Sequence, residues 1–435
     1  MEAIHKSLLI SLLILLGGFY SCSEDGFVPD DGLDYTFIDK AFIYPLYSTA
    51  KHIRETNTTG KADFLYLTDT HFSDNNLCSP DLLHFLVQNG YSDRVFWGGD
   101  AISAYGNIAY EWKEHQEHFL QAVEPYGRYY QIRGNHEFTS MDPTTRRGIT
   151  FDALQTAQWL RAHTEHDMVR PTDDPESCYY YVDDAEHHLR FCIFDTTDSI
   201  ASNTAPWATV IHTSQRQLHW MEVNALHGVP TGYDLIVMTH IGVLPETYQY
   251  QEPLEPLHQL LLRSEAPVLM VLSGHMHQDF QTYENGILHV LTGSDANYPE
   301  YANSPFLHTY QRSANRVFSQ LIDCFCISPD HRTIQALRLG AGYSRTFHLD
   351  TLRLSLSEST TLTMQPEHIT VDQLSAWYSY DASGYRCIDA PWQPTNETVA
   401  ISEKGVVHPL RPGHAVLMAV DHTGNKEFFP ITIVQ

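Results

Sequence analysis

The chain has 435 residues, more than one hydrophobic core usually organises, so two folded units are expected. With 43% hydrophobic and 18% charged residues it reads as an ordinary folded protein, which excludes an extended disordered or fibrous chain. Its net charge of −27 excludes more: without a basic stripe there is no electrostatic footprint for a nucleic-acid duplex, and a phosphate substrate would have to be drawn in by local cations.

At the N-terminus, Lys6 precedes an apolar run from Leu8 to Leu16, too short to span a bilayer comfortably and closed by Gly17-Gly18. Phe19-Tyr20-Ser21-Cys22 follows, and the segment resembles a bacterial lipoprotein signal, although Phe19 stands where Leu is usual. The resemblance implies a signal peptide over residues 1–21, export to the bacterial cell envelope and a membrane anchor through lipidated Cys22. A plain cleaved signal or an uncleaved anchor is the alternative. Residues 22–34, with Ser23-Glu24-Asp25 and Asp30-Asp31, read as an acidic tether.

From residue 35 short apolar runs alternate with helical periods, the pattern of helices covering a sheet. A short helix is expected over 49–55, a strand at Phe64 to Thr68, an amphipathic helix at Asp81 to Gln88 and a strand at Arg94 to Trp97. Tyr110 to Val123 reads as a helix with His115 and His118 on a solvent face rather than at a metal. A strand follows at Tyr129 to Arg133, then a polar insertion over 138–176 whose Arg146-Arg147 is a candidate phosphate contact or a solvated loop pair. Tyr179 to Asp183 and Leu189 to Asp195 form a hairpin on which Cys178 and Cys192 could face each other, bridged or as buried free thiols. Further strands are expected at Leu235 to Thr239, Val268 to Ser273, Phe318 to Ile327 and Thr333 to Leu339. Loops bearing Tyr248 and Tyr250, and Tyr298 and Tyr301, offer aromatic rings for stacking or for lid packing.

Five of these strands end in residues that bind metals. Phe64 to Thr68 delivers Asp69 and His71; Arg94 to Trp97, through Gly98-Gly99, delivers Asp100; Tyr129 to Gly134 delivers Asn135 and His136; Leu235 to Thr239 delivers His240; Val268 to Gly274 delivers His275 and His277. In open α/β sheets ligands bind beyond the carboxyl ends of the strands, so all five exits would meet at one edge. Four imidazoles, two carboxylates and one amide oxygen suit manganese, iron or zinc better than an all-oxygen magnesium or calcium cage. A single block would mean little in a chain with 26 histidines.

In order, the blocks Asp69-Thr70-His71, Gly99-Asp100, Gly134-Asn135-His136-Glu137, Thr239-His240 and Gly274-His275-Met276-His277 resemble those of the calcineurin-like metallophosphoesterases. The resemblance covers roughly residues 60–345. It implies an α/β fold, a metallophosphoesterase β-sandwich flanked by helices, over residues 35–349, and two divalent transition-metal ions. Asp69, His71 and His277 would hold one ion and Asn135, His240 and His275 the other, with Asp100 bridging. His136 would be the outer-shell catalytic residue, supported by Glu137. Independently of the family, two cations roughly 3.5–4 Å apart can clamp the attacking and leaving oxygens of a phosphoryl displacement and lower a water's pKa towards about 7. A histidine that is not a ligand can then protonate the departing alkoxide. Purple acid phosphatases carry a tyrosine where this chain has Ser103, which argues against a ferric-tyrosinate centre.

From residue 350 the helical period stops, and Leu352 to Leu356 and Thr360 to Thr363 alternate as strands. Trp392 to Ile433 resembles bacterial Ig-like repeats, which implies a small all-β domain over 350–435 serving as a spacer or in cell-surface or glycan contact. The sequence therefore implies a phosphohydrolase cleaving small phosphomonoesters or phosphodiesters with a hydroxide held between the metals. The alternatives are a nucleotide pyrophosphatase or cyclic phosphodiesterase, and a non-catalytic surface protein using the fold as a scaffold.

Overall fold

The structure is a computed structural model, and it describes residues 27, 29–57, 60–71, 78–103, 108–137, 139–141, 148–150, 153–161, 167–198, 212–244, 254–295, 320–357, 360–361, 377–381, 384–385, 399–401, 406–420 and 425–435. The signal segment with Cys22, the start of the tether, Arg146-Arg147, Tyr248, Tyr250, Tyr298, Tyr301 and residues 392–398, 402–405 and 421–424 of the C-terminal repeat lie outside the described residues.

The first sheet is built on three parallel strands, β1 (Phe64–Leu67), β2 (Arg94–Trp97) and β3 (Arg128–Gln131). The second comprises β4 (Tyr180–Asp184), β5 (Leu189–Ile193), β6 (Asp234–Met238), β7 (Val268–Ser273), β8 (Phe280–Glu284) and β9 (Ile287–Leu291), in the order β8-β9-β7-β6-β5-β4. Strands β5, β6, β7 and β9 run parallel, and the β4–β5 hairpin is antiparallel. The first sheet continues from β1 through β10 (Leu321–Ile327), β11 (Thr333–Gly340) and β12 (Arg345–His348), each antiparallel to its predecessor.

Alternation along these strands sorts side chains between two cores. On β1, Phe64 and Tyr66 enter an aromatic layer between the sheets with Phe96, Tyr130, Phe191 and Phe325. Leu65 and Leu67 face the other way, against helices α1 (Lys40–Thr56) and α2 (Ser79–Gln88). Covered on both faces, β1 and the Val95–Trp97 part of β2 read in sequence as apolar runs. Helix α1 is longer than the turn expected at 49–55, because Asp39 caps it by accepting from the Ala41 N–H at 2.8 Å.

The helix expected at Tyr110 to Val123 forms as Ile108–His115, a wide π turn over Gln116–Leu120 and a last turn at Gln121–Val123. His115 is not on a solvent face: it is fully buried, its ring 4.6 Å from Trp97, with Nε2 3.0 Å from the Tyr129 hydroxyl. Tertiary partners on β2 and β3, invisible to a helical period, reclaim it for the core, and burial holds it near pKa 3. His118 is half-exposed beside Glu114. The five described cysteines are all free, and Cys178 and Cys192 are buried thiols.

Beyond residue 349 the chain remains β-structured, with β13 (Leu352–Ser355), β14 (Trp377–Asp381), β15 (Gly384–Tyr385), β16 (Gly413–Val420) and β17 (Lys426–Val434). The pairing crosses that point: β17 lies parallel to β12, so the last strand extends the sheet that begins with β1. Phe428 stacks on Phe347 at 5.4 Å within the inter-sheet layer.

Candidate metal centre

The exits of β1, β2, β3, β6 and β7 meet at one edge of the two sheets. Backbone bonds lash the loops together: Asp69 N–H donates to Gly99 O (2.9 Å), His71 N–H to Asp100 O (3.0 Å) and Gly274 N–H to His240 O (2.9 Å). Of the eight non-glycine residues at positive φ among the described residues, five are here: Asp69, His71, Asp100, His275 and His277. Left-handed backbone costs a β-carbon-bearing residue energy, and such strain concentrates at functional sites. Crowding fixes the intervening glycines. A β-carbon on Gly134 would lie 2.2 Å from Asp100 Oδ1, and one on Gly274 2.5 Å from Asp69 Oδ2.

Three clusters of donor atoms result, each within 4.8 Å internally: Asp69, His71 and His277; His71, Asp100 and His136; Asp100, His240 and His275. Around Asp69 Oδ1 stand the Nε2 atoms of His277 (3.2 Å), His71 (3.9 Å) and His240 (3.9 Å). Around Asp100 Oδ2 stand those of His240 (3.1 Å), His136 (3.9 Å) and His71 (4.0 Å). Asn135 Oδ1 is 3.2 Å from His240 Nε2. All seven residues named as metal ligands therefore share one site, with Asp69, Asp100 and His240 fully buried.

These residues fit a pair of cations. Asp69 Oδ1 is buried without a hydrogen-bond donor, which is costly for a carboxylate unless a positive charge meets it. His71 and His277 turn Nε2 atoms on each other at 3.1 Å, where at most one proton fits. Burial alone would raise Asp69, but the His277 and His240 imidazoles outweigh it and hold the carboxyl down at about 2. Asp100 is lowered too, His240 and His136 overcoming its burial. Burial, then neighbouring imidazoles, push His71 and His275 down to about 3. Burial also opposes charge on His240, yet Asp100 and Asp69 raise it to about 10. The metal-free chain thus holds its two carboxylates ionised and His71 and His275 neutral, the states that ligands need, while a proton on His240 stands in for a cation. His240 Nδ1 donates to Gly98 O at 2.7 Å, leaving Nε2 to face the centre once that proton is displaced.

His136 sits at the rim, its backbone N–H donating to Asp100 Oδ1 (2.8 Å) and its Nδ1 to Ser103 O (2.7 Å). Glu137, expected to support His136, accepts through its buried carboxylate from the backbone N–H groups of Gly134 (2.7 Å), Asp100 (2.8 Å) and Ile102 (3.3 Å), pinning the two loops together. Burial and the charge of Asp100 raise it to about 7. Sequence reading named Ser103 only for the tyrosine it replaces, not for its hydroxyl, which donates to Glu111 at 3.1 Å, and it missed Arg133, which pairs with buried Asp195 at 2.5 Å under the third loop. Neither carries a local signal, since their partners lie on other elements.

The sequence profile of the calcineurin-like phosphoesterases matches residues 62–279. Among solved structures the chain is similar to a dimetal phosphatase from Danio rerio, at 14% identity over 66% of this chain and 98% of that one, TM-score 0.46. It is also similar to a phosphopantetheinyl hydrolase from Mycobacterium tuberculosis, at 12% identity over 54% of this chain and 90% of that one, TM-score 0.33. A search of curated proteins finds no match. With half its length matched to the profile and His and Asp side chains gathered at the strand exits, the chain belongs to the calcineurin-like phosphoesterase family.

Proposed function

We propose that the chain is a dinuclear metal-dependent phosphohydrolase acting on small phosphate esters. The observation that supports it is the convergence of Asp69, His71, Asp100, Asn135, His240, His275 and His277 on one buried edge, around a carboxylate oxygen that no donor satisfies. Asp69, His71 and His277 would hold one ion, and Asn135, His240 and His275 the other. Asp100 would bridge them. When bound, the ions supply Lewis-acid stabilisation of phosphoryl charge and a water nucleophile at neutral pH.

The remaining work falls to the chain. The bond from His136 Nδ1 to Ser103 O fixes the ring so that Nε2 faces the donor groups, where it can deliver a proton to the leaving alkoxide. Glu137 keeps Asp100 in register with Asn135, a positioning role rather than a proton-transfer role. We also propose that residues 1–21 direct export, that Cys22 carries a lipid, and that the strands after residue 349 form an appended β-unit. Mass spectrometry of the mature N-terminus tests the lipid: an unmodified Cys22, or a retained leader, refutes it.

Metal analysis of the purified chain tests the main reading, with about two transition ions per chain expected and none pointing to a scaffold protein. A panel of monoester, diester and nucleotide substrates with Mn²⁺, Zn²⁺ and Fe²⁺ then sets the bond cleaved. No hydrolysis by a chain carrying both ions would refute the activity.

A further inference from the structure

Beneath the strand exits lies a buried charge cluster that the proposed chemistry does not use. Arg338 of β11 is almost fully enclosed and spends its donors on both sheets. Its Nη1 and Nη2 donate to the two oxygens of Asp279 at 3.0 and 2.9 Å, a bidentate pair. Nε and Nη2 donate to Asp323 of β10 at 2.7 and 3.0 Å, Nη1 also to Ala341 O at 2.7 Å, and Nη2 to Thr292 Oγ1 at 3.2 Å. Asp279 stands two residues after His277, and its Oδ1 also accepts from Gly293 N–H at 3.2 Å. Asp323 pairs across the ladder with Tyr66, three residues before Asp69. Arg345 reinforces the same anion, donating to Asp323 Oδ2 at 3.1 Å.

One guanidinium thus ties the segment carrying His277, on the second sheet, to β10 of the first, the ladder neighbour of β1, whose exit carries Asp69 and His71. That matters for one cluster only. The other end of the β7 exit loop is held by the site itself, where His275 N–H donates to Asp69 Oδ2 at 3.0 Å. His277 has its anchor two residues downstream, at Asp279.

We infer that Arg338, through Asp279, is a positioning residue for the ion at Asp69, His71 and His277, and that its loss weakens this ion while sparing the one at Asn135, His240 and His275. The inference rests on the dinuclear reading above. Outer partners that orient ligands typically change metal affinity about 10- to 100-fold when removed.

The test is a calorimetric titration of Mn²⁺ into the metal-free full chain, with electron paramagnetic resonance to distinguish one ion from a coupled pair. The wild type should take up two ions. Asp279→Asn, nearly isosteric, should keep one at wild-type affinity and bind the other about 10- to 100-fold more weakly, the coupled signal returning at excess Mn²⁺. Arg338→Lys, which keeps the charge but loses the fork, should show the same selective loss to a smaller degree. Arg94→Lys, altering a buried ion pair at the far end of the sheets, should leave both affinities unchanged. If Arg338→Lys does not fold, Asp279→Asn decides alone. Two wild-type affinities in Asp279→Asn, or equal weakening of both ions, overturns the inference and leaves the dinuclear reading standing. A wild-type chain that binds no Mn²⁺ overturns both.

Discussion

The two ends of the parallel strands are both polar, and they solve their electrostatics differently. Where β1, β2 and β3 begin, Lys61, Asp63, Asp93, Arg94, Arg128, Asp183, Asp184 and His187 help line a cavity of about 470 Å³. There guanidinium and carboxylate groups interleave: Arg94 pairs with Asp184, Arg128 with Asp93 (2.6 Å) and Asp167 (2.8 Å), and His187 Nδ1 lies 2.7 Å from the same Asp184 carboxylate. Where the same strands end, imidazoles crowd around two carboxylates, one oxygen has no donor, and five residues sit in left-handed backbone. Density of charge is common to both ends. What singles out the exits is convergence of carboxylate oxygens and imidazole nitrogens from separate loops on one buried point.

Removing an acceptor should break the contrast most severely. Asp100→Asn takes away a carboxylate that faces three imidazoles, so loss of one or both ions and of hydrolysis is expected, read by metal analysis and turnover. Retention of two tightly held ions would show that the bridging role is misassigned. Next in size, His136→Ala should lower kcat by about 10²–10⁴ with metal content kept, because the ring is not among the ligands assigned to either ion. An unaltered rate in that variant removes His136 from proton transfer.

The site's membership was legible in sequence because each of its residues closes a short apolar run, often beside a glycine, and that pattern needs no knowledge of tertiary contacts. Its support was not. Glu137 reaches Asp100 across 37 positions and Arg338 reaches Asp279 across 59, spans over which no periodicity connects an acid to its donor. Much the same divides the fold. The run lengths of β1, β2 and β7 announced buried strands. The burial of His115 and the parallel pairing of β17 with β12 depend on partners far along the chain. Left-handed backbone is commoner at aspartate, asparagine and histidine than at other residues that carry a β-carbon, but which of them adopt it is set by the loops they close rather than by the local sequence.

A perturbation at the paired end sharpens the contrast from the other side. Arg94→Lys disturbs a buried guanidinium–carboxylate pair and should cost about 1–3 kcal/mol of folding stability, measured by denaturant titration, while leaving Mn²⁺ affinity at its wild-type value. If metal binding fell in step with stability, the two ends would not be separable, and the convergence at the exits would owe more to general rigidity than to its own loops.

The smallest effect isolates what carboxylates do to a buried imidazole. His240 and His289 are both fully buried, yet Asp100 and Asp69 raise the first to about 10, whereas burial, with His258 the next cause, lowers the second to about 3. Neither ring nitrogen of His289 has a hydrogen-bond partner, and the His258 ring lies 6.0 Å away. A folded pKa below the unfolded value near 6.5 means that the unfolded chain takes up the proton first. Stability linked to His289 is therefore intact above about pH 6.5 and lost as the pH falls towards 3, by roughly 1–2 kcal/mol between pH 7.5 and 5.5. His289→Gln cannot take up that proton, so its denaturant-derived stability should fall by that much less than the wild type's over the same interval. An identical acid loss in both would mean that His289 reaches a donor or solvent in the folded state, and the contrast with His240 would then reflect access rather than neighbouring charge.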